Sequence, residues 1–142
     1  MTKFNILQFV SNMSADLAGE FEDLEQMIQK GEDAEGIHRA YNHLGSLIQG
    51  FEYMAEFIED EDDRKELAAI IAQKREERDG FYPRAASAIY SEKLGKDVEV
   101  TVVVRADGIK TFRVKVVGHL ERTYARTEDV KAYINGLVEG EA

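Results

Sequence analysis

Residues 98 to 116 read VEVTVVVRADGIKTFRVKV, and this stretch decides the fold class because apolar and polar residues alternate along much of it. Alternation combined with many β-branched residues is typical of a strand with one buried face. The Asp107-Gly108 pair in the middle is a signal for a hairpin turn. We therefore predict two antiparallel strands, over 98–105 and 110–117.

The sequence around this hairpin predicts one more strand and two helices. A weaker third strand is expected over 120–125. Upstream, Pro83 suits the first turn of a helix that we predict over 84–94. Downstream, Thr127 is a typical N-cap, and the two acids after it favour the start of a last helix. Residues 81–142 are therefore expected to form an α-β-β-β-α module.

Residues 1–80, in contrast, have the pattern of three helices. Apolar residues recur at steps of three and four along a first helix over 6–30 and along a second helix that begins after Asp33. A short connection makes these two helices antiparallel, because neither can bury its apolar stripe alone. A third helix is predicted over 64–78. The glycines inside the first two helices are expected to mark close helix crossings, and they are Gly19, Gly45 and Gly50.

The predicted fold class is therefore α+β. An N-terminal antiparallel helical hairpin belongs to a three-helix module over 1–80, and an α-β-β-β-α module with a three-stranded antiparallel sheet follows over 81–142. The boundary between the two modules is placed after residue 80, because Pro83, the only proline of the chain, disfavours helical structure at the residue before it. A chain of 142 residues can form two small packed modules or one compact domain, and the sequence leaves both open.

The order helix, three strands, helix over 84–138 resembles that of the double-stranded RNA-binding domain. The segment KTFRVKV at 110–116 is similar to the second strand of that family. The resemblance implies the fold of the C-terminal module. At the start of its last helix, however, the family carries a lysine cluster, whereas this chain has Thr127-Glu128-Asp129. Two carboxylates there would repel an RNA backbone, which argues against direct nucleic-acid binding.

The negative charge of the chain is concentrated in its first part. Residues 1–80 contain 19 Asp and Glu against 8 Lys and Arg, a net charge of −11, whereas residues 81–142 contain 9 acids against 10 bases, a net charge of +1. The whole-chain charge of −10 disfavours nonspecific attraction to nucleic acid or anionic lipid. A charge distribution this uneven predicts a protein that binds another macromolecule.

The sequence contains no cysteine, which excludes a disulfide framework, a thiolate metal site and a cysteine nucleophile. The same observation is compatible with a reducing compartment. The apolar stretch near the N-terminus is too short and too interrupted for a signal sequence or a membrane span. We therefore expect a cytoplasmic protein without a membrane partner.

An acidic ridge is predicted where the second helix ends. Five consecutive carboxylates repel one another and must lie in solvent, and two glutamates lie one and two helical turns upstream. One interpretation is a solvated helix end that only maintains solubility. The other is an anionic surface that docks on a basic groove of a larger protein by mimicking nucleic acid. The ridge comprises Glu52, Glu56, Glu59, Asp60, Glu61, Asp62 and Asp63.

Two aromatic residues, Tyr53 and Phe57, accompany this ridge. They are four residues apart on a helix face other than the apolar stripe. Two interpretations are open: the rings pack against the C-terminal module, or they form an exposed contact surface.

Basic residues are predicted to line one side of the sheet. A solvated sheet face explains them most simply. Alternatively, they bind nucleic acid, a small anionic ligand, or the acidic ridge of a second copy, which would produce a homo-oligomer. These residues are Arg105, Arg113, Lys115 and Arg122, together with Arg126.

No catalytic or cofactor motif is recognisable in the sequence. Glu35 and His38 have the spacing of a helical metal site, but no second copy or matching inward glutamates accompany them. We therefore predict a protein that is not an enzyme, holds no cofactor or metal, and acts as an inhibitor or adaptor on a basic surface of a larger protein. The alternatives are a nucleic-acid-binding module that uses the sheet and an oligomer that sequesters a small ligand.

Overall fold

The computed structural model describes residues 5–31 and 33–140, and its elements confirm the predicted α+β class. Within this part of the chain, no helix has both the length and the apolar character needed to cross a membrane. The elements are α1 (Ile6–Lys30), α2 (Ala34–Ala55), α3 (Glu61–Asp79), α4 (Tyr82–Leu94), β1 (Val98–Val104), β2 (Lys110–Val116), β3 (Arg122–Tyr124) and α5 (Thr127–Gly140).

Helices α1 and α2 form the predicted antiparallel hairpin. The Phe9 ring, near the start of α1, meets the Phe51 ring, near the end of α2, edge to face at 6.0 Å between centroids. Gly31 ends α1 in the left-handed conformation at φ 68°, which glycine adopts without strain. Asp33 begins α2, because its carboxylate accepts a 2.7 Å hydrogen bond from the Gly36 N–H. The connecting residue Glu32 lies outside the described residues.

Helix α4 contributes to both hydrophobic clusters of the molecule. Its Ala85 lies in the cluster among α1, α2 and α3, and the next residue, Ala86, lies in the cluster between the sheet and α5. The first cluster is built largely from Leu, Ile, Met and Phe, and the second largely from Val. The helical bundle and the sheet are therefore both packed against α4.

The sheet is antiparallel in the order β1-β2-β3, and α4 covers the outer edge of β1. The Ser91 hydroxyl accepts a 2.9 Å hydrogen bond from the Val98 N–H, and the Ser87 hydroxyl accepts one of 2.9 Å from the Val100 N–H. These two serines, one helical turn apart, occupy backbone groups that would otherwise offer an edge for pairing with another chain.

Several predicted boundaries differ from the structure for local reasons. Helix α3 begins at Glu61 and not at residue 64, because the Asp60 carboxylate accepts a 2.9 Å hydrogen bond from the Asp63 N–H and caps the helix. Three acids then fill its first turn, where the helix dipole favours negative charge. The apolar pattern along α2 continues to Ile58, whereas the helix itself ends at Ala55.

The expectation that three glycines mark helix crossings is wrong for two of them. A Cβ atom added to Gly19 or Gly50 would meet nothing within 4 Å. A Cβ on Gly45 would lie 2.7 Å from Cζ of Arg78, so the close approach at Gly45 is by a guanidinium group. That guanidinium also donates a 3.0 Å hydrogen bond from Nε to the Tyr41 carbonyl oxygen. Gly45 therefore makes room for an arginine that joins α3 to α2.

Candidate functional site

The α2–α3 corner, which we define as residues 52–63, lies at the end of the bundle where α1 begins. Leu67 of α3 is fully buried in the same cluster as Leu44 and Ile48 of α2, so the two helices pack along their length. The guanidinium of Arg64 donates a 2.9 Å hydrogen bond to the Ile58 carbonyl oxygen and thereby fixes the connecting turn. The corner is therefore presented on two packed helices and a tied turn.

Three large apolar side chains of this corner face solvent. Tyr53 is 62% exposed, Met54 50% and Phe57 69%. The rings of Tyr53 and Phe57 meet edge to face, 5.0 Å apart at their centroids. Their exposure contradicts packing against the C-terminal module. The inward face of α2 is occupied by other residues, among them Ile48 and Ala55, which leaves this aromatic pair on the outside.

Seven carboxylates belong to the same corner, and two of them form ion pairs with basic residues of α3. Glu52 pairs with Arg75 of α3, and Glu61 pairs with Lys65 at 3.1 Å on its own helix. Glu52 also lies in a groove of about 320 Å³ between α2 and α3 that Arg64 lines too. The ridge therefore does not extend to Glu52 as a free anionic surface.

The remaining acids of the corner keep their charge available. Glu56, Glu59 and Asp62 are exposed, and none forms an ion pair with another described residue. Asp60 is exposed and caps α3, while Asp63 is half-buried in the first turn. The corner thus combines an exposed aromatic pair with an unneutralised acidic border.

The predicted basic side of the sheet does not exist as one surface. Arg113 and Lys115 face away from the helices, opposite Thr101 and Glu99 of β1. Arg122 pairs with Val114, which is fully buried, so Arg122 lies on the helix-covered face and its guanidinium lies 5.1 Å from the centre of the Tyr133 ring. Cross-strand partners share a face, so Arg122 and Arg113 are on opposite sides.

Most of these arginines already have acidic partners. Arg105 follows β1 in the hairpin turn and pairs with Asp107 at 3.3 Å. Arg113 pairs with Glu121 at 2.6 Å. Arg126 precedes α5 and pairs with Asp129 at 3.3 Å, which raises the pKa of its guanidinium through hydrogen bonding and charge attraction. These three arginines therefore offer little unpaired positive charge to a nucleic acid.

A second concave feature, between the bundle and the sheet, was not predicted from the sequence. Its walls include Tyr41 of α2, Tyr82 of α4 and Phe112 of β2. The Tyr82 and Phe112 rings meet edge to face at 5.3 Å, and the Arg78 guanidinium lies 3.8 Å from the centre of the Tyr41 ring. Burial raises the pKa of the Tyr41 and Tyr82 hydroxyls. Residues of six different elements line this feature, so no spacing along the chain reveals it.

Glu35 and His38 have the spacing of a helical metal site. In residues 5–31 and 33–140, no group of three or more His, Asp or Glu side chains is arranged to hold a metal ion. His38, the candidate from the Glu35 spacing, is exposed at the start of α2.

Comparisons of this chain with protein-family models, with curated proteins and with solved structures find no match. Arguments about its function therefore depend on the geometry of its own residues.

Proposed function

We propose that the protein is a small acidic binding protein, an inhibitor or adaptor, that docks its α2–α3 corner on a basic surface of a larger protein. The observation that carries this proposal is the exposed Tyr53–Phe57 pair, together with the exposed and unpaired Glu56, Glu59 and Asp62 of the same corner. Protein interfaces typically combine aromatic anchors in the centre with a polar rim. The same proposal includes a cytoplasmic location, with which a chain without cysteine is compatible.

Charge complementarity defines the partner. Glu56, Glu59 and Asp62 have no cationic partner among the described residues, so a basic surface would supply one. Long-range attraction from a chain of net charge −10 would also accelerate the encounter with a cationic protein. A basic nucleic-acid groove is one such surface.

The alternatives receive less support from the described contacts. A nucleic acid on the sheet, or a second copy gripping the corner with sheet arginines, would need free cations. Arg105 and Arg113 are already paired with acids of their own chain, and Arg122 lies on the other face. We therefore favour a different protein as the partner.

The test uses affinity capture from lysate with matched variants. Phe57→Ser removes an anchor of the corner, whereas Leu120→Ser removes another exposed apolar side chain, 87% accessible, from the β2–β3 connection. We expect a captured protein that is retained by wild type and by Leu120→Ser but lost with Phe57→Ser. Loss of an anchor of this kind weakens binding by about 2 kcal/mol, or about thirtyfold.

A second pair of variants tests the electrostatic part with the purified partner. Glu59→Lys with Asp62→Lys and the control Asp16→Lys with Asp23→Lys both change the net charge from −10 to −6, since each replacement adds 2. We expect the corner pair to weaken binding much more than the control pair. Raising the salt from about 10 mM to about 150 mM shortens the screening length from about 30 Å to about 8 Å and should weaken the wild-type complex. Equal effects of the two pairs, or no salt dependence, would contradict the proposal.

A further inference from the structure

We propose that the cleft between the bundle and the sheet binds a small planar aromatic molecule that carries a negative charge. The cleft comprises a cavity of about 750 Å³ and an adjoining one of about 270 Å³, and the two share Tyr41, Tyr82 and Thr127 in their walls. The larger volume lies within the range of about 300 to 1,000 Å³ that is typical of small-molecule sites.

The aromatic part of the proposal follows from the walls. Tyr41, Tyr82 and Phe112 offer ring faces and edges, and the Tyr41 and Tyr82 rings lie 6.4 Å apart at a tilt of 51°. Val102 and Val104 complete an apolar side. Flat rings gain stacking and edge-to-face contacts against such walls.

The negative charge follows from the cations of the cleft. Its two cavities are lined by four cationic side chains, namely Arg78, Lys93, Lys110 and Lys131, and by two anionic ones, namely Asp79 and Glu128. This local excess of positive charge stands out in a chain of net charge −10. Neither Lys110 nor Lys131 forms an ion pair with another described residue, so both ammonium groups are available to an anion.

The Tyr82 hydroxyl provides a further reason to expect a ligand at the junction of the two cavities. Its oxygen is buried and interacts with the neighbouring Tyr90 hydroxyl, but it forms no hydrogen bond of normal length and angle with a described residue. A hydroxyl group can donate one hydrogen bond and accept two, so a bound molecule can still pair with this oxygen.

A small molecule fits this cleft better than a polymer does. A nucleic-acid strand that extends beyond the cleft would approach a chain of net charge −10, which repels its phosphates. The α2–α3 corner lies well away from the cleft, because Tyr41 and Ala55 are separated by about 21 Å along α2 at 1.5 Å per residue. The two sites can therefore be tested separately.

The test is a titration followed by NMR chemical shifts, with adenosine 5′-monophosphate and 4-hydroxybenzoate as alternative aromatic anions. We expect at least one of them to saturate the protein with shifts at Tyr41, Tyr82 and Phe112. Saturation by the nucleotide alone would indicate a nucleotide-like ligand, and saturation by the benzoate alone would indicate an aromatic acid. Adenosine and inorganic phosphate supply the ring and the charge separately, and each should bind about tenfold more weakly.

Lys110→Gln and Lys115→Gln provide the matched variants. Both lysines are exposed on β2, but Lys110 shares the face of Val104 and lines the cleft, whereas Lys115 lies on the opposite face across from Glu99. We expect Lys110→Gln to weaken binding about tenfold and Lys115→Gln to leave it unchanged. No saturation by either anion at millimolar concentration, equally strong binding of adenosine or phosphate alone, or equal effects of the two variants would overturn the proposal.

Discussion

Cations and carboxylates are distributed differently in the sheet and in the bundle. In the sheet, arginines pair with acids in adjoining turns, as Arg105 does with Asp107 and Arg113 with Glu121. In the bundle, acids outnumber bases, and part of the surplus lies unpaired at the α2–α3 corner. The first part of the chain, of net charge −11, therefore keeps unpaired acids at a corner that is available to a partner, whereas Arg105 and Arg113 in the part of net charge +1 are paired with acids of their own chain.

The two regions also differ in how they complete their cores. The bundle buries long side chains such as Leu44 between helices, whereas the sheet buries short ones such as Val114 and covers its β1 edge with α4. Because α4 supplies Ala85 to one core and Ala86 to the other, the two regions are joined through packing. Independent unfolding of the two regions would contradict this coupling through α4.

The largest effects are expected in the two cores. Leu44→Ala should lower the free energy of unfolding by about 3 kcal/mol, and Val114→Ala, which removes fewer buried atoms, by about 2 kcal/mol. Both residues are 0% exposed. Because α4 is shared, we expect each variant to shift one common transition in urea, followed by far-UV circular dichroism and tyrosine fluorescence. Two separate transitions, with Leu44→Ala shifting only one of them, would show that the regions are independent.

The next effect concerns the helix-covered sheet edge. Ser91→Ala leaves the Val98 N–H without its 2.9 Å partner, which should cost about 1 to 2 kcal/mol of stability. Ser46→Ala is the control, because Ser46 is exposed on α2 and the same replacement alters helix propensity alone. The difference between the two unfolding free energies isolates the edge contact. Equal values would mean that α4 covers β1 without stabilising it through this hydroxyl.

A smaller effect distinguishes the two helical glycines. Gly50→Ala should stabilise the bundle by about 1 kcal/mol, because alanine favours helix and the added methyl group meets nothing within 4 Å. At Gly45 the same gain is offset, because the methyl group would displace the Arg78 guanidinium from the Tyr41 carbonyl. Thermal unfolding of the two variants measures the difference. Equal stabilisation would show that Arg78 moves aside without loss.

Most of the fold could be predicted from periodicity, because that signal is local. Steps of three and four gave α1 from Ile6 to Lys30 with both boundaries correct, and alternating valines gave the β1–β2 hairpin. The start of α3 differs from the prediction because a run of carboxylates is expected in solvent at a helix end, although several of them can also favour the start of the next helix. The same acids cap and fill the first turn of a helix, where its dipole stabilises them.

The candidate site could be predicted only in part, because pairing across elements leaves no spacing signal. The acids of the corner and its aromatic pair lie close together in the sequence and can be recognised there. The pairing of Glu52 with Arg75, in contrast, depends on how α3 is rotated against α2. The side on which Arg122 lies depends on the register of β3, where a slip of one residue reverses the faces. The cleft around Tyr82 is lined by residues of six elements, and all of them must be placed correctly before it can be recognised.

The smallest expected effect concerns an ion pair that joins the two regions. Arg84 of α4 pairs with Glu25 of α1, and its hydrogen bond and charge lower the pKa of that carboxyl. We expect Arg84→Gln to raise the Glu25 pKa towards its ordinary value in an NMR titration, while Arg105→Gln, in the distant hairpin, leaves it unchanged. Because the folded-state pKa is depressed, the pair contributes its stability above the ordinary glutamate pKa and loses it as the pH falls through the lowered value. Wild type should therefore lose slightly more stability than Arg84→Gln on acidification across that window, since an exposed ion pair is weak and Gln29 also donates to Glu25. An unchanged Glu25 pKa in Arg84→Gln would mean that α1 and α4 are held together by packing alone.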